Sequence, residues 1–281
     1  MMSPLLLNLS LAYACYFIND FLIKWYASRY TALRLIQRRT YFTLFFAVVW
    51  LALSRGWNMP PSFDTLLQIV VLAIVCGFGL FFFVKANQHL SFPNVMVLNL
   101  VGLVSQQFIA YSILQEELKS SFPISMILII GGVFTLASIP ALKKGLIYGL
   151  MSTLFWSLGH SLLSIPLKAT SVEWTTFIQE AVILLLLLIV RKSWIQGEEK
   201  STTSRNSNWL FPLMGLLTIC GSVLFNFAYQ NYQVSQISIL NILFFPLSAL
   251  VSKVYMGEQL ALREWLGNLL ILLGVVYFQF F

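Results

Sequence analysis

GLFFFVKANQ at residues 79–88 and GSVLFNFAYQ at residues 221–230 are one segment written twice. Gly79 falls on Gly221, Phe83 on Phe225, Ala86 on Ala228 and Gln88 on Gln230. The same unbroken offset carries residues 79 to about 134 onto 221–276. It sets Leu98-Asn99 on Leu240-Asn241, and Glu116 and Leu118 on Glu258 and Leu260. Further on it sets Leu128-Ile129 on Leu270-Ile271 and Gly132-Val133 on Gly274-Val275. Polar and glycine positions match along with apolar ones, so shared hydrophobicity does not account for the alignment. An internal repeat in a membrane chain points to a duplicated, transporter-type architecture.

That the chain is a membrane chain follows from its composition. Of 281 residues, 59% are hydrophobic and 10% charged, far from the balance of a soluble domain. Apolar segments of bilayer-spanning length recur throughout. A soluble helical bundle would need polar outer faces, and stretches such as Ala181–Val190 and Leu266–Val276 offer almost none. The net charge of +7 is no nucleic-acid signal, because no basic stripe alternates with exposed aromatics. Cys15, Cys76 and Cys220 lie inside apolar segments without metal-type spacing and read as packing residues. The Ala12-Tyr13-Ala14 sequence has the form of a signal-peptidase site, but no basic region precedes it and the apolar run continues to Ile23. It reads as a first membrane helix.

Ten helices are expected, near 3–26, 34–54, 64–87, 94–115, 122–140, 145–168, 173–191, 209–230, 234–255 and 262–280. Gln196–Asn208 is polar and reads as a surface loop. Five helices per half invert the second half relative to the first, giving an all-α integral membrane protein with ten transmembrane helices as two inverted five-helix repeats, 1–142 and 143–281. The basic residues sort accordingly. Lys24, Arg29, Arg34, Arg38, Arg39, Lys85, Lys143, Lys144, Arg191, Lys192, Lys200, Arg205, Lys253 and Arg263 fall on one side. Arg55, Lys119 and Lys168 fall on the other. The rich side is cytoplasmic, which places both termini away from the cytoplasm.

Each half ends in a helix, a Glu-bearing turn and a Gly-bearing closing helix. These are Leu114-Gln115-Glu116-Glu117-Leu118 with Gly131-Gly132-Val133, and Met256-Gly257-Glu258-Gln259-Leu260 with Gly267 and Gly274-Val275. With Pro246 ahead of the second turn and Arg34 before the second helix, the chain resembles the EamA-type branch of the drug/metabolite transporter superfamily. The resemblance implies two inverted five-helix repeats, with helices 1, 3, 4, 6, 8 and 9 around a central cavity. Two departures stand out. Val104 occupies the position matching Pro246, and Gln115 the position matching Gly257. Glu116 and Glu258 are expected to meet free amides at the start of the following helix. Pro246 is expected to break a backbone hydrogen bond at membrane depth.

Polar groups inside apolar segments need partners or a wet cavity. Tyr13, Tyr16 and Asp20 share a face of the first helix, and Trp156 with His160 form the counterpart pair on the sixth. By polarity and by the resemblance, substrate contacts are expected at Tyr16, Asp20, Asn99, Gln106, Trp156, His160, Asn226 and Asn241. Asp20, His160 and Glu180 are candidates for proton coupling, with His160 or Lys168 as possible partners of Glu180. The expected function is a secondary transporter in a cell membrane of bacterial inner-membrane type. It would move a small polar metabolite, with a lean towards amino acids or amines, by alternating access. Alternatives are a flippase for lipids or lipid-linked sugars and an integral-membrane enzyme. Gly77-Phe78-Gly79 lies in an apolar helix and is no phosphate cradle, and no HExxH or GxSxG motif occurs. No catalytic residue, metal or other cofactor is implied. The expected partners are a small-molecule substrate, membrane lipids and protons, with no nucleic acid.

Overall fold

The computed structural model describes residues 4–54, 60–194, 209–232, 242 and 244–281. Ten α-helices are seen among them: α1 (Pro4–Ala27), α2 (Ala32–Leu53), α3 (Phe63–His89), α4 (Phe92–Leu114) and α5 (Phe122–Ala137), then α6 (Lys143–Leu167), α7 (Val172–Trp194), α8 (Leu210–Asn231), α9 (Phe244–Met256) and α10 (Leu262–Phe280). Most boundaries fall within a few residues of those read from hydropathy, because flanking turn residues end each apolar run. Asn241, the first part of the expected ninth helix and the Gln196–Asn208 loop lie outside the described residues.

Among the described residues, α3, α4, α7, α8 and the stretch Pro140–Leu167 that contains α6 are long and apolar enough to cross a membrane, and α5 is a shorter apolar helix. Outward faces are apolar as well. Leu7, Leu11 and Ile18 are exposed on α1, as are Phe45, Val48 and Val49 on α2. Faces of this kind suit lipid and would be unfavourable in water. The chain is an integral, multi-pass membrane protein.

Two compact units are present, residues 1–81 with 162–232 and residues 82–161 with 233–281. Each draws on both sequence halves. In the first unit α1 packs along α8, and α2 packs on both α7 and α8. Tyr13 meets Phe225, Tyr16 meets Ser222, Asn19 meets Thr218 and Tyr26 meets Phe211. One index rises as the other falls, so α1 and α8 are antiparallel. In the second unit α5 packs on α10, and α4 on both α9 and α10. Bonds from Thr153 Oγ1 to the Leu98 carbonyl and from Ser157 Oγ to the Gly102 carbonyl hold α4 parallel to α6.

Glycine sets how closely α5 and α10 approach. A Cβ on Gly132 would lie 2.6 Å from the Gly267 carbonyl oxygen, and one on Gly274 would lie 2.9 Å from the Ser125 carbonyl oxygen. Backbone sits where any other residue would place a side chain, the arrangement that small residues permit between membrane helices.

The two Glu-bearing turns have one geometry. Gly257 has φ +66°, and the Glu258 amide reaches the Ser252 carbonyl at 3.3 Å. Gln115 has φ +58°, and the Glu116 amide reaches the Ala110 carbonyl at 3.2 Å. Both helix terminations pair a left-handed residue with a backbone bond from the next amide to the carbonyl six residues before it. Gln115 therefore does what its glycine counterpart does, at the steric cost of a Cβ. Pro246 lies in the described part of α9, Phe244–Met256, and the expected break in its backbone bonding depends on the residues just before Phe244, of which only Ile242 is described.

Candidate functional site

The first unit concentrates charge at membrane depth. Tyr13, Tyr16 and Asp20 do share one face of α1, and that face lies on α8. The Tyr16 hydroxyl is 2.9 Å from Ser222 Oγ. Its ring fits over Gly221, where a Cβ would sit 3.0 Å from the ring edge. Asp20 is 8% exposed, and its contact with Asn19 Nδ2 is long, at 3.5 Å.

Arg39 and Glu180 complete the group. Arg39 Nη2 lies 3.6 Å from Glu180 Oε1, with both side chains 6% exposed. The charge of Arg39 acts on Asp20, Glu180 and Tyr16 together. The arrangement is loosely satisfied: Arg39 Nε and Glu180 Oε2 are buried without a hydrogen-bond partner. This corrects two expectations. Glu180 pairs with Arg39 rather than with His160 or Lys168, and Arg39 is no edge charge but lies two turns inside α2.

A signal for Arg39 was present. Leu35, Arg39, Thr43, Ala47 and Leu51 recur every fourth residue and are all buried. That spacing is one helix face. A charge on such a face requires a partner, and Glu180 was the unpaired acid in the apolar segments. Its neighbour Arg38 points elsewhere, donating to the Tyr30 hydroxyl at 3.2 Å and lying over the Tyr30 ring.

Asn226 also belongs to this unit, but its amide nitrogen is engaged with α7. It donates to Thr176 Oγ1 at 2.9 Å and to Gln179 Oε1 at 3.3 Å. Gln230 of α8 donates instead to the Leu167 and Thr170 carbonyls, at the end of α6 and in the turn before α7. The structure thus brings Tyr16, Asp20 and Glu180 into one cluster and sets Asn226 on the α7–α8 interface.

The remaining candidates lie in the second unit. Asn99 and Gln106 are half-buried on α4, two turns apart. Trp156 and His160 are half-buried on α6, and the Trp156 ring lies 4.8 Å from that of Phe83.

Several of the shortest polar contacts in this unit lie at helix ends. Glu258 Oε2 accepts the Phe92 amide at 2.7 Å, which caps α4 and not the following helix as expected. Glu264 serves α10, accepting from the Ala261 amide at 2.8 Å and from Asn94 Nδ2 at 2.6 Å. Asn268 Nδ2 donates to Asn94 Oδ1 at 2.7 Å. A pocket of about 310 Å³ opens beside this cap, lined by Lys253, Glu258, Gln259 and Trp265 among others, and by none of the expected site residues.

A model of the EamA-like transporter family matches residues 143–279. The match covers just under half of the chain and shows that stretch to be similar to the EamA-like transporter family. That family is one of the drug/metabolite transporter superfamily, whose members are membrane transporters of small molecules. Family members are transporters and not enzymes, which fits a non-enzymatic role. A solved crystal structure shares the fold with a TM-score of 0.66, covering 99% of this chain and 96% of its own, at 13% identity. No match is found among curated proteins. The matched segment starts at α6, where the second repeat is expected to start.

Proposed function

We propose that the protein is a secondary transporter that moves a small polar metabolite across the membrane by alternating access of two inverted five-helix repeats, 1–142 and 143–281. The observation that carries the transport reading is the EamA-like match over residues 143–279, whose distinctive 221–276 segment is written a second time at 79–134.

Helix directions support ten crossings. If every helix crosses, helices an odd number apart in the chain run antiparallel and those an even number apart run parallel. α1 and α8 are antiparallel, as are α5 and α10, while α4 and α6 are parallel. Two-fold relation is supported by the α5–α10 contact. Gly132 meets Gly267 and Ile271, and Gly274 meets Ser125 and Ile129. Shifting the first set by the repeat offset and exchanging helices gives the second. Packing of α2 on α7 and of α4 on α9 likewise joins helices five apart.

Substrate contacts are assigned to Tyr16, Asp20, Asn99, Gln106, Trp156, His160 and Asn241, whereas the Asn226 amide on α8 donates to α7. Carboxylates and aromatics in this set favour an amino acid or amine. Proton coupling is assigned to Asp20 and Glu180, with His160 as a further group. Both termini lie outside the cytoplasm of a cell membrane of bacterial inner-membrane type, since the basic loops resist translocation.

Thermal stabilisation of the purified protein, screened against amino acids, amines and other polar metabolites, tests the substrate class, because a ligand of the folded state raises its apparent stability. Uptake of each hit into proteoliposomes then tests transport. Stabilisation by lipid headgroup analogues alone would turn the reading to a flippase. A cytoplasm-only reporter active after Phe281 would invert the topology.

A further inference from the structure

The first unit buries one cation and two carboxylates together, and this count has a consequence. With Arg39, Asp20 and Glu180 all ionised, the cluster has a net charge of −1. Uncompensated charge at membrane depth is strongly disfavoured. The charged and titratable groups facing the cluster are few. They are Tyr16 from α1 and Cys76 from α3, both neutral in their ordinary state, while α8 offers only the hydroxyls of Thr218 and Ser222. Among the described residues no second cation acts on the cluster, so one proton completes the balance.

Geometry agrees with a site built to exchange that proton. The Arg39–Glu180 contact is a single long one at 3.6 Å, and the Asp20–Asn19 contact is 3.5 Å. Arg39 Nε and Glu180 Oε2 are left without partners. A buried ion pair fixed for stability closes its remaining valences. This one leaves a donor and an acceptor open, and the same guanidinium also acts by its charge on a second buried acid, Asp20, which lies beyond direct ion-pair distance.

We propose that Asp20, Arg39 and Glu180 form a single proton site in which the two carboxyl groups share one exchangeable proton and Arg39 is the fixed counter-ion of whichever carboxylate is ionised. Taking up the proton makes the cluster neutral, and losing it leaves the −1 state, so proton release is tied to access of water or of a cationic substrate group to the cluster. The proton-site assignment depends only on these three side chains. Its use in transport rests on the transporter reading above. Arg39, which the sequence placed at the membrane edge, becomes the positioning residue of the site.

Infrared difference spectroscopy of the purified protein, without any substrate, reads the carboxylic-acid carbonyl band directly. In wild type near neutral pH the band should have the intensity of one buried acid. Asp20→Asn and Glu180→Gln should each abolish it, since the remaining carboxylate then pairs with Arg39. Arg39→Gln should double it, since both acids then take a proton. Arg39→Lys, which keeps the charge, should restore the single band and guards against misreading a misfolded variant. A band that is absent in wild type, or unchanged in Asp20→Asn and Glu180→Gln, overturns the proposal.

A second arm separates the site from transport. Proteoliposomes loaded with a pH-sensitive dye are given the standard L-amino acids and simple primary amines. Proton flux that is lost in both carboxyl variants supports coupling through this site. An intact band pattern without any flux leaves the proton site standing and removes the transport assignment. Flux that survives both variants removes the site from the coupling path.

Discussion

The two compact units handle buried polarity in opposite ways. In the second, Glu258, Glu264, Asn94 and Asn268 form short bonds of 2.6–2.8 Å, to helix-end amides and to one another. In the first, Arg39, Asp20 and Glu180 are more deeply buried than Glu258 and Glu264, yet their contacts are 3.5 Å or longer, and Arg39 Nε and Glu180 Oε2 have no hydrogen-bond partner, where the second unit's network leaves only Asn268 Oδ1 open. Short, directed bonds fix a geometry. Long, incomplete ones keep more than one protonation and bonding state close in energy. The second unit's network therefore reads as scaffold and the first unit's cluster as working part.

The largest test of that contrast is a double-mutant cycle in the first unit. Asp20→Asn with Glu180→Gln strands Arg39 without a counter-ion and should cost about 3–5 kcal/mol. Each change alone should cost less than half of that, because the other carboxylate takes over. Thermal unfolding in detergent measures all three. Additive losses would mean that the acids do not share the guanidinium.

Next comes the glycine seam of the second unit. Gly132→Leu or Gly274→Leu drives a side chain into the facing backbone and should cost about 3 kcal/mol, the upper end of the overpacking range. Gly131→Leu, which meets nothing within 4 Å, should leave the melting temperature and the monodisperse yield unchanged. Equal effects at 131 and 132 would contradict the α5–α10 contact.

Glu264→Ala removes the acceptor of Asn94 and of the Ala261 amide, and a loss of about 2 kcal/mol is expected. It should lower the melting temperature without altering the pH dependence of any transport. An altered pH profile would make this network more than scaffold.

The smallest expected effect is at the paired turns. Gln115→Gly should stabilise by about 1 kcal/mol, by relieving a left-handed non-glycine residue, and Gly257→Gln should lose a similar amount. Calorimetry on the two variants distinguishes a shared turn from a chance resemblance.

Much of this was legible beforehand. Hydropathy located the helices because each apolar run has clear polar ends. The face of α1 carrying Tyr13, Tyr16 and Asp20 followed from their spacing. Partners across helices were harder. Glu258 was expected to cap the following helix, since adjacency is what a sequence displays, whereas the amide it meets is that of Phe92, 166 positions away. Arg39 was grouped with Arg34 and Arg38 by proximity, although its four-residue register with Leu35 and Thr43 puts it on the buried face. Asn226 was read as facing substrate, and its amide instead meets α7.

Composition and periodicity determined by themselves that this chain is helical and lies in a membrane, and the recurrence of residues at one offset points to a duplication. Those properties are sums over many residues and survive any single local error. Tertiary structure alone decided which buried acid meets which base and which amide each glutamate caps. Such pairings depend on the direction and spacing of helices distant in the chain, and the closeness of α5 to α10 likewise needed both backbones in place before the role of Gly132 and Gly274 could be read.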